Sequence, residues 1–235
     1  MKSMKLEKTT KKASGPRRRY DDACGAAHGL ELVGDRWALL VVRELMLGPK
    51  RFSDLRGDLP GISANVLTQR LEELEAVGIL LRRKLPPPAS VQVYELTPWG
   101  YEAEPILQVL GRWAARSPHH DPSLPLTETG FLLSLRTMLD PCRAEGLKGV
   151  IGFRFGAQSY VGRLESGRLE VTRGEPEGAD VVFEGPVSAL VAAIYGGQPL
   201  AGMEAGGALK VTGDRALAER FATLFPLPPK VGEEG

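Results

Sequence analysis

The sequence predicts an α+β protein with two folded units, and three observations support this prediction. Its 235 residues are enough for two domains of ordinary size, each with a core of its own. Apolar residues switch between helical and strand periods in residues 23–116 and again, with a different order of elements, in residues 126–229. The stretch 117–125 between them contains three prolines, which is typical of a linker.

Charge is divided unevenly along the chain. Residues 1–22 carry Lys, Ser, Thr and Arg with almost no large apolar side chains, so we expect a disordered basic tail. The net charge is about +5 before Pro118 and about −4 after it, so the first part is the one expected to bind a polyanion. No apolar segment follows the basic N-terminus, and no run of about 18 apolar residues occurs elsewhere. We therefore expect a cytoplasmic protein that does not enter a membrane.

Four helices are predicted at the start of the first unit, because each stretch has a helical period and ends at glycine or proline. They cover 24–33, 35–47, a short stretch from Phe52, and 63–77. Ser63 is expected to cap the fourth helix and Gly78 to end it.

A β-hairpin and a last helix complete the first unit. The runs 79–84 and 91–96 are rich in β-forming residues and are joined by a proline-rich loop, which favours an antiparallel hairpin. Thr97 and Pro98 then begin a helix expected to continue through Trp113. Helix, helix, short helix, turn, longer helix, hairpin and helix is the order of a winged helix-turn-helix fold.

The fourth helix is expected to read DNA bases with the face opposite its core leucines, Leu67, Leu71 and Leu74. Asparagine and glutamine can form paired hydrogen bonds with adenine, and valine or threonine can contact a thymine methyl group. The residues predicted to contact DNA from this helix and its cap are Ser63, Asn65, Val66, Thr68 and Gln69. The alternative for Asn65 and Gln69 is that they are simply exposed polar residues.

Basic residues near this helix are expected to hold DNA phosphates. Two of them precede the third helix, and three lie on the first strand of the hairpin, where it would approach the backbone or the minor groove. The predicted phosphate contacts are Lys50, Arg51, Arg82, Arg83 and Lys84.

Three motifs of the first unit share their order and spacing with a known family. They are Leu32-Val-Gly-Asp-Arg-Trp-Ala-Leu-Leu40, Gly48-Pro-Lys-Arg-Phe-Ser-Asp-Leu55 and Val66-Leu-Thr-Gln-Arg-Leu71. Together they resemble the HxlR-type winged helix-turn-helix regulators, relatives of MarR. The resemblance implies a homodimer, with an interface largely from the first and last helices, and a pseudo-palindromic operator in double-stranded DNA. Two departures are Gly25, where the family typically has proline, and the wing stretch 86–90.

The two cysteines, Cys24 and Cys142, fit neither a disulfide framework nor a zinc pattern. Cys24 matches the N-terminal cysteine that serves several HxlR-type proteins as a redox or electrophile sensor, so the resemblance implies such a role. Arginines 17–19 would favour its thiolate, whereas the aspartates at 21 and 22 oppose it. The alternative is a small side chain that packs at the start of a helix.

The second unit is predicted to lay helices on one face of a largely antiparallel sheet, which is an α+β arrangement. We expect helices at 126–144, 186–195 and 214–224, and strands at 149–155, 159–164, 168–172, 179–183 and 208–212. The segments Gly178-Ala-Asp-Val-Val-Phe183 and Gly206-Gly-Ala-Leu-Lys-Val-Thr-Gly-Asp214 are similar to the sterol carrier protein-like fold. That resemblance implies an apolar tunnel, and with it an apolar small-molecule or lipid effector.

The leading hypothesis is a homodimeric DNA-binding regulator whose second unit senses an apolar ligand or serves assembly. The alternative is a lipid or acyl carrier whose winged helix makes protein contacts. An enzyme is not expected, because no nucleophile–base pair, metal cluster or cofactor loop stands out. His119 and His120 lack a third metal ligand at a helical spacing, so neither a metal nor a cofactor is predicted.

Overall fold

The computed structural model describes residues 20–87 and 89–232. We call residues 23–116 the N-terminal unit and residues 126–229 the C-terminal unit, following the predicted boundaries. Most of the predicted basic tail, residues 1–19, lies outside the described residues. The N-terminal unit contains α1 (Gly25–Val33), α2 (Ala38–Leu45), α3 (Phe52–Asp58), α4 (Ala64–Ala76), β1 (Leu80–Lys84), β2 (Gln92–Leu96), α5 (Pro98–Tyr101) and α6 (Glu104–Ala115).

The C-terminal unit combines four helices with one five-stranded sheet. Its elements are α7 (Glu128–Met138), β3 (Gly149–Phe155), β4 (Gln158–Glu165), β5 (Arg168–Arg173), β6 (Val181–Glu184), α8 (Val187–Ile194), α9 (Leu200–Ala205), β7 (Lys210–Gly213) and α10 (Arg215–Ala222). The strand order is β5-β4-β3-β6-β7. Both units mix helix and sheet, and the C-terminal unit is α+β as predicted.

Side-chain caps begin several helices where the sequence predicts them. The hydroxyl of Ser63 accepts a hydrogen bond from the Val66 amide at the start of α4, at 3.3 Å. Thr97 caps α5 through the Gly100 amide at 3.1 Å, and Asp214 caps α10 through the Leu217 amide at 3.0 Å.

Several elements differ from the sequence-based expectation, among them α7, which ends at Met138 rather than at residue 144. Helix α2 begins at Ala38 rather than at residue 35, because Trp37 has a left-handed backbone with φ of 80°. The last helix of the N-terminal unit is broken into α5 and α6. The short helix α9 was not predicted, and β3 pairs with β6 in parallel within an otherwise antiparallel sheet.

Each unit has its own hydrophobic core, although helix α7 contributes to both. The N-terminal core holds the leucines of α4 together with Val41, Val42 and Leu45 of α2. Leu133 of α7 belongs to this core, whereas Ala115 of α6 belongs to the core of the C-terminal unit. The two units are therefore packed against each other around α7.

The core of the C-terminal unit is filled by aromatic rings. Between the sheet and its helices lie Phe131, Phe153, Phe155, Tyr160, Phe183, Phe221 and Phe225. Neighbouring rings are close, with centroids 4.9 Å apart for Phe221 and Phe225 and 6.1 Å apart for Phe153 and Phe183. The apolar tunnel that the sterol carrier protein resemblance implies would lie in this space, which the protein's own side chains occupy.

Within the part of the chain that the structure describes, no helix combines the length and the apolar character needed to span a membrane.

Candidate nucleic-acid interface

Helix α4 presents a polar face to solvent. Leu67, Leu71 and Leu74 are buried in the N-terminal core, and this fixes the rotation of the helix about its axis. The residues on its outer side and at its cap that are exposed are Ser63, Asn65, Thr68 and Gln69. Val66 is half-buried and packs against the core, so it lies at the edge of this face rather than at its centre.

Three contacts hold the polar face in place. Arg70 of α4 forms ion pairs with Asp35, just before α2, and with Glu73 of its own helix. The Gln69 amide donates a hydrogen bond to Glu73 Oε1 at 2.9 Å. Gln69 is therefore ordered along the helix in the free protein, and it has to leave Glu73 before it can pair with a base.

The arginines of the β1–β2 hairpin are exposed, but each is paired with a carboxylate. Arg82 Nε donates to Glu75 Oε2 at 2.8 Å, and this hydrogen bond lowers the pKa of the Glu75 carboxyl. Arg83 is paired with Glu95 on the opposite strand. Lys84, at the end of β1, is exposed. A phosphate would have to compete with Glu75 and Glu95 for the two guanidinium groups.

The two basic residues ahead of α3 have different positions. Arg51 is exposed at the helix start, and its backbone amide donates to Asp54 Oδ2 at 3.3 Å. Lys50 is only 6% exposed, and its ammonium donates to Glu44, Asp58 and Thr129. The sequence-based prediction for Lys50 therefore needs correction, because its charge is balanced inside the protein rather than presented to DNA.

The structure also buries a carboxylate on α2 that is not among the predicted site residues. Glu44 follows Arg43 on α2, and its side chain is completely buried beside Lys50. Glu44 lies three residues after Val41 and one before Leu45, on the buried side of α2. This helical spacing is the signal in the sequence that could have indicated its burial.

A second surface of the N-terminal unit is apolar and exposed. On α6, Val109 is 70% and Trp113 72% exposed, and Ile106 and Leu110 lie on the same side of the helix. None of the residues of α1 is buried, and its Leu30 is exposed. Trp113, the last residue of the helix predicted from Thr97 and Pro98, lies at the surface.

Cys24 lies at the N-terminal end of α1 with an exposed thiol. The backbone amides of Ala27 and Ala26 in the first turn of α1 lower the pKa of this thiol. The arginines 17–19 that were expected to contribute lie outside the described residues. Among the residues that are described, no group of three or more His, Cys, Asp or Glu side chains could hold a metal ion.

Two families match the chain, one for each unit. The HxlR-like helix-turn-helix family matches residues 32–121, and the alkyl sulfatase C-terminal family matches residues 124–230. The second match is to alkyl sulfatases and not to sterol carrier proteins, so the sterol carrier protein-like assignment stays a prediction.

Curated relatives resemble the first part of the chain. The HTH-type transcriptional regulator YvaP of Bacillus subtilis is 36% identical over 85 residues, which is 36% of this chain and 79% of that protein. The HTH-type transcriptional regulator YodB of the same organism is 39% identical over 83 residues, covering 35% of this chain and 74% of YodB.

Solved structures resemble parts of the chain. The reduced form of YodB from B. subtilis has a TM-score of 0.38 and 34% identity, covering 42% of this chain and 98% of that one. The inverting sec-alkylsulfatase Pisa1 from Pseudomonas sp. has a TM-score of 0.41 and 24% identity, covering 43% of this chain. The matched region spans only 16% of the length of the alkylsulfatase.

Proposed function

The chain belongs to the HxlR-like helix-turn-helix family of transcriptional regulators, and we propose that it binds a pseudo-palindromic operator in double-stranded DNA as a homodimer. One observation carries this proposal. Helix α4 is anchored by three buried leucines and turns an exposed face with Asn65, Thr68 and Gln69 outward. A helix fixed in this way can enter the major groove without reorganising its own core.

Base recognition is assigned to the outer side of α4. Asn65 and Gln69 each offer an amide that can donate to and accept from adenine, and Thr68 can contact a thymine methyl group. Gln69 exchanges its hydrogen bond with Glu73 for one with a base. Because the bond that is given up has a carboxylate acceptor and the base is neutral, this exchange offsets part of the free energy gained from base pairing with Gln69.

Phosphate binding is assigned to Arg51, Arg82, Arg83 and Lys84, without Lys50. All four are exposed and lie on the start of α3 or on β1. Arg82 and Arg83 leave their carboxylate partners when a phosphate approaches. The loss of these ion pairs offsets part of the electrostatic attraction between the two arginines and the phosphate. Affinity is therefore expected to fall with salt, although less steeply than four unpaired cations would produce.

Self-association is assigned to α1 and α6. The exposed side of α6 carries Ile106, Val109, Leu110 and Trp113, a larger apolar surface than isolated exposed side chains would form. A second copy of the chain would cover this surface and would set the distance between the two α4 helices.

The C-terminal unit is proposed to support the DNA-binding unit of the same chain rather than to bind an apolar ligand. Its interior is packed with its own aromatic rings, and α7 contributes to the core of the DNA-binding unit. No catalytic role is proposed for it. Cys24 remains a candidate redox sensor, since its thiol is exposed and its pKa is lowered. We place the action of the protein in the cytoplasm.

The proposal is tested by measuring binding to the DNA upstream of the protein's own gene across a salt series. Gln69→Ala should weaken binding to this DNA more than to unrelated DNA, because it removes a base contact. Arg83→Ala should weaken binding to both and reduce the salt dependence.

Matched controls are available in the C-terminal unit. Gln198→Ala removes an exposed amide, and Arg168→Ala removes an exposed arginine on an edge strand. Neither should change binding. Weak, salt-independent binding of the unmodified protein would reject the proposal and favour a carrier or a protein-interaction role.

A further inference from the structure

The buried polar residues of the described chain lie together at the contact between the two units. Glu44 and Thr129 are 0% exposed, and Lys50 is 6% exposed. Glu44 and Lys50 belong to the N-terminal unit, whereas Thr129 lies in the first turn of α7. Charged side chains are almost never buried unless they are paired, so this cluster requires complete hydrogen bonding.

The Lys50 ammonium has hydrogen-bond acceptors in both units. Its ammonium donates to Glu44 Oε2 at 2.8 Å, to Asp58 Oδ2 at 2.7 Å and to Thr129 Oγ1 at 3.0 Å. A lysine ammonium has three donors, so all of them are used. One of the three acceptors belongs to the C-terminal unit.

The hydrogen bonds of Glu44 likewise come from both units. Its Oε1 accepts from Arg43 Nε at 2.9 Å and from the Thr127 hydroxyl at 2.8 Å. Thr127 also caps α7, because its oxygen accepts from the Gly130 amide at 3.0 Å. The start of α7 therefore supplies one donor to the buried carboxylate and one acceptor to the buried ammonium.

Lys50 connects this cluster to the parts of the N-terminal unit assigned to DNA. Its backbone pairs with Tyr94 of β2, with N–O distances of 3.0 Å and 2.8 Å in the two directions. Asp58 is the last residue of α3, immediately before the turn that leads to α4. A shift of Lys50 is thus transmitted to the hairpin and to the turn ahead of α4.

We propose that Thr129 and Thr127 are positioning residues for DNA recognition that act through Lys50 and Glu44. A buried ion pair stabilises a structure only when its remaining hydrogen bonds are satisfied. In this chain the C-terminal unit satisfies them, and so it holds the hairpin and the α3–α4 turn in the arrangement that binds DNA. The DNA part of this inference rests on the proposed function, whereas the coupling between the units does not.

The first test compares Thr129→Val with the unmodified full-length protein by hydrogen exchange. Valine keeps the shape of threonine but removes the hydroxyl, which leaves one donor of Lys50 without its partner. Losing a hydrogen bond to a buried charge corresponds to a change of roughly tenfold or more in a local opening equilibrium. The amides of Lys50 and Tyr94 should therefore exchange about tenfold faster or more.

Two variants separate this effect from a general loss of stability. Thr129→Ser restores the hydroxyl and should return the exchange of both amides toward that of the unmodified protein. Thr137→Val removes a hydroxyl from the same helix, where it donates only to the Leu133 carbonyl within α7. It should leave the Lys50 and Tyr94 amides unchanged.

The second test measures affinity for the DNA upstream of the protein's own gene with the same variants. Thr129→Val should weaken binding about tenfold while the slope against salt stays the same, because no phosphate contact is removed. Should this variant fail to fold, Thr127→Gly replaces it, since glycine is tolerated at the N-cap of a helix and cannot donate to Glu44.

Each outcome decides the inference. Unchanged exchange at Lys50 and Tyr94 would show that the C-terminal unit does not hold the cluster. Faster exchange with unchanged affinity would remove the positioning role while leaving the coupling. If the unmodified protein binds no DNA, the proposed function fails and the positioning role with it, and the exchange experiment alone then decides the coupling between the units.

Discussion

Trp113 is the side chain whose removal should weaken self-association most. It is 72% exposed in the single chain and lies on the apolar side of α6. A buried tryptophan removes about 150–250 Å² from water, so covering the exposed part would remove roughly 150 Å². At about 25 cal/mol per Å² this burial contributes about 4 kcal/mol for each copy of the chain.

Trp113→Ala should therefore raise the dissociation constant of the dimer strongly. Alanine retains part of the buried area, so we expect a loss of about 3 kcal/mol per copy, and a two-fold interface contains the residue twice. Even the loss of about 3 kcal/mol from a single copy corresponds to about a hundredfold weaker association. Sedimentation velocity over a concentration series measures this change.

Two comparisons make the result decisive. Leu124→Ala removes another exposed apolar side chain, from the linker, and should leave the dissociation constant unchanged. At a concentration where both proteins are monomeric, the thermal midpoint of Trp113→Ala should stay near that of the unmodified chain, because the Trp113 side chain is mostly exposed and is not part of the hydrophobic core of the single chain. A dissociation constant unaltered by Trp113→Ala would refute the assignment of α6 to the interface.

Three further predictions concern the hairpin, the thiol and the second core. Glu95→Gln should free Arg83 for phosphate and so raise DNA affinity and its salt dependence, measured by titration at several salt concentrations; a weaker complex would contradict this. In a Cys142→Ser background, alkylation of Cys24 should reach half its maximal rate at a lower pH than in the unfolded chain, since the pKa of the folded thiol is lowered; identical pH profiles would disprove it. Phe153→Ala should lower the free energy of unfolding by about 3–5 kcal/mol in urea titrations, whereas a small loss would mean that the aromatic core is loosely packed.

The sequence predicted the winged helix-turn-helix order and the outward face of α4 because both depend on local signals. Ser63 as a cap and the leucines of α4 define that helix from within its own residues. The break between α5 and α6 was missed although the sequence carries a local signal for it, because Pro105 lies in the first turn of α6, where proline favours the start of a helix.

The positions of charged and apolar side chains relative to distant elements were predicted less well. Lys50 and Arg51 are neighbours with similar chemistry. The buried one is distinguished by the acceptors that the fold brings to it, among them Thr129, 79 positions later in the chain. Trp113 has the spacing of a core residue, yet its side chain is exposed. Helix α7 covers the other side of α6, where Arg112 donates a hydrogen bond to the Thr137 carbonyl.

The amino-acid sequence by itself determined most of the helices and strands, where most helices begin and which face of α4 is polar, since these follow from periodicity and capping within a few residues. Only the tertiary structure decided that Lys50 is internal, that β3 and β6 run in parallel and that aromatic rings fill the second core. These features depend on partners far away in the chain, and a residue's own neighbours in sequence do not reveal which distant group will satisfy its charge or cover its surface.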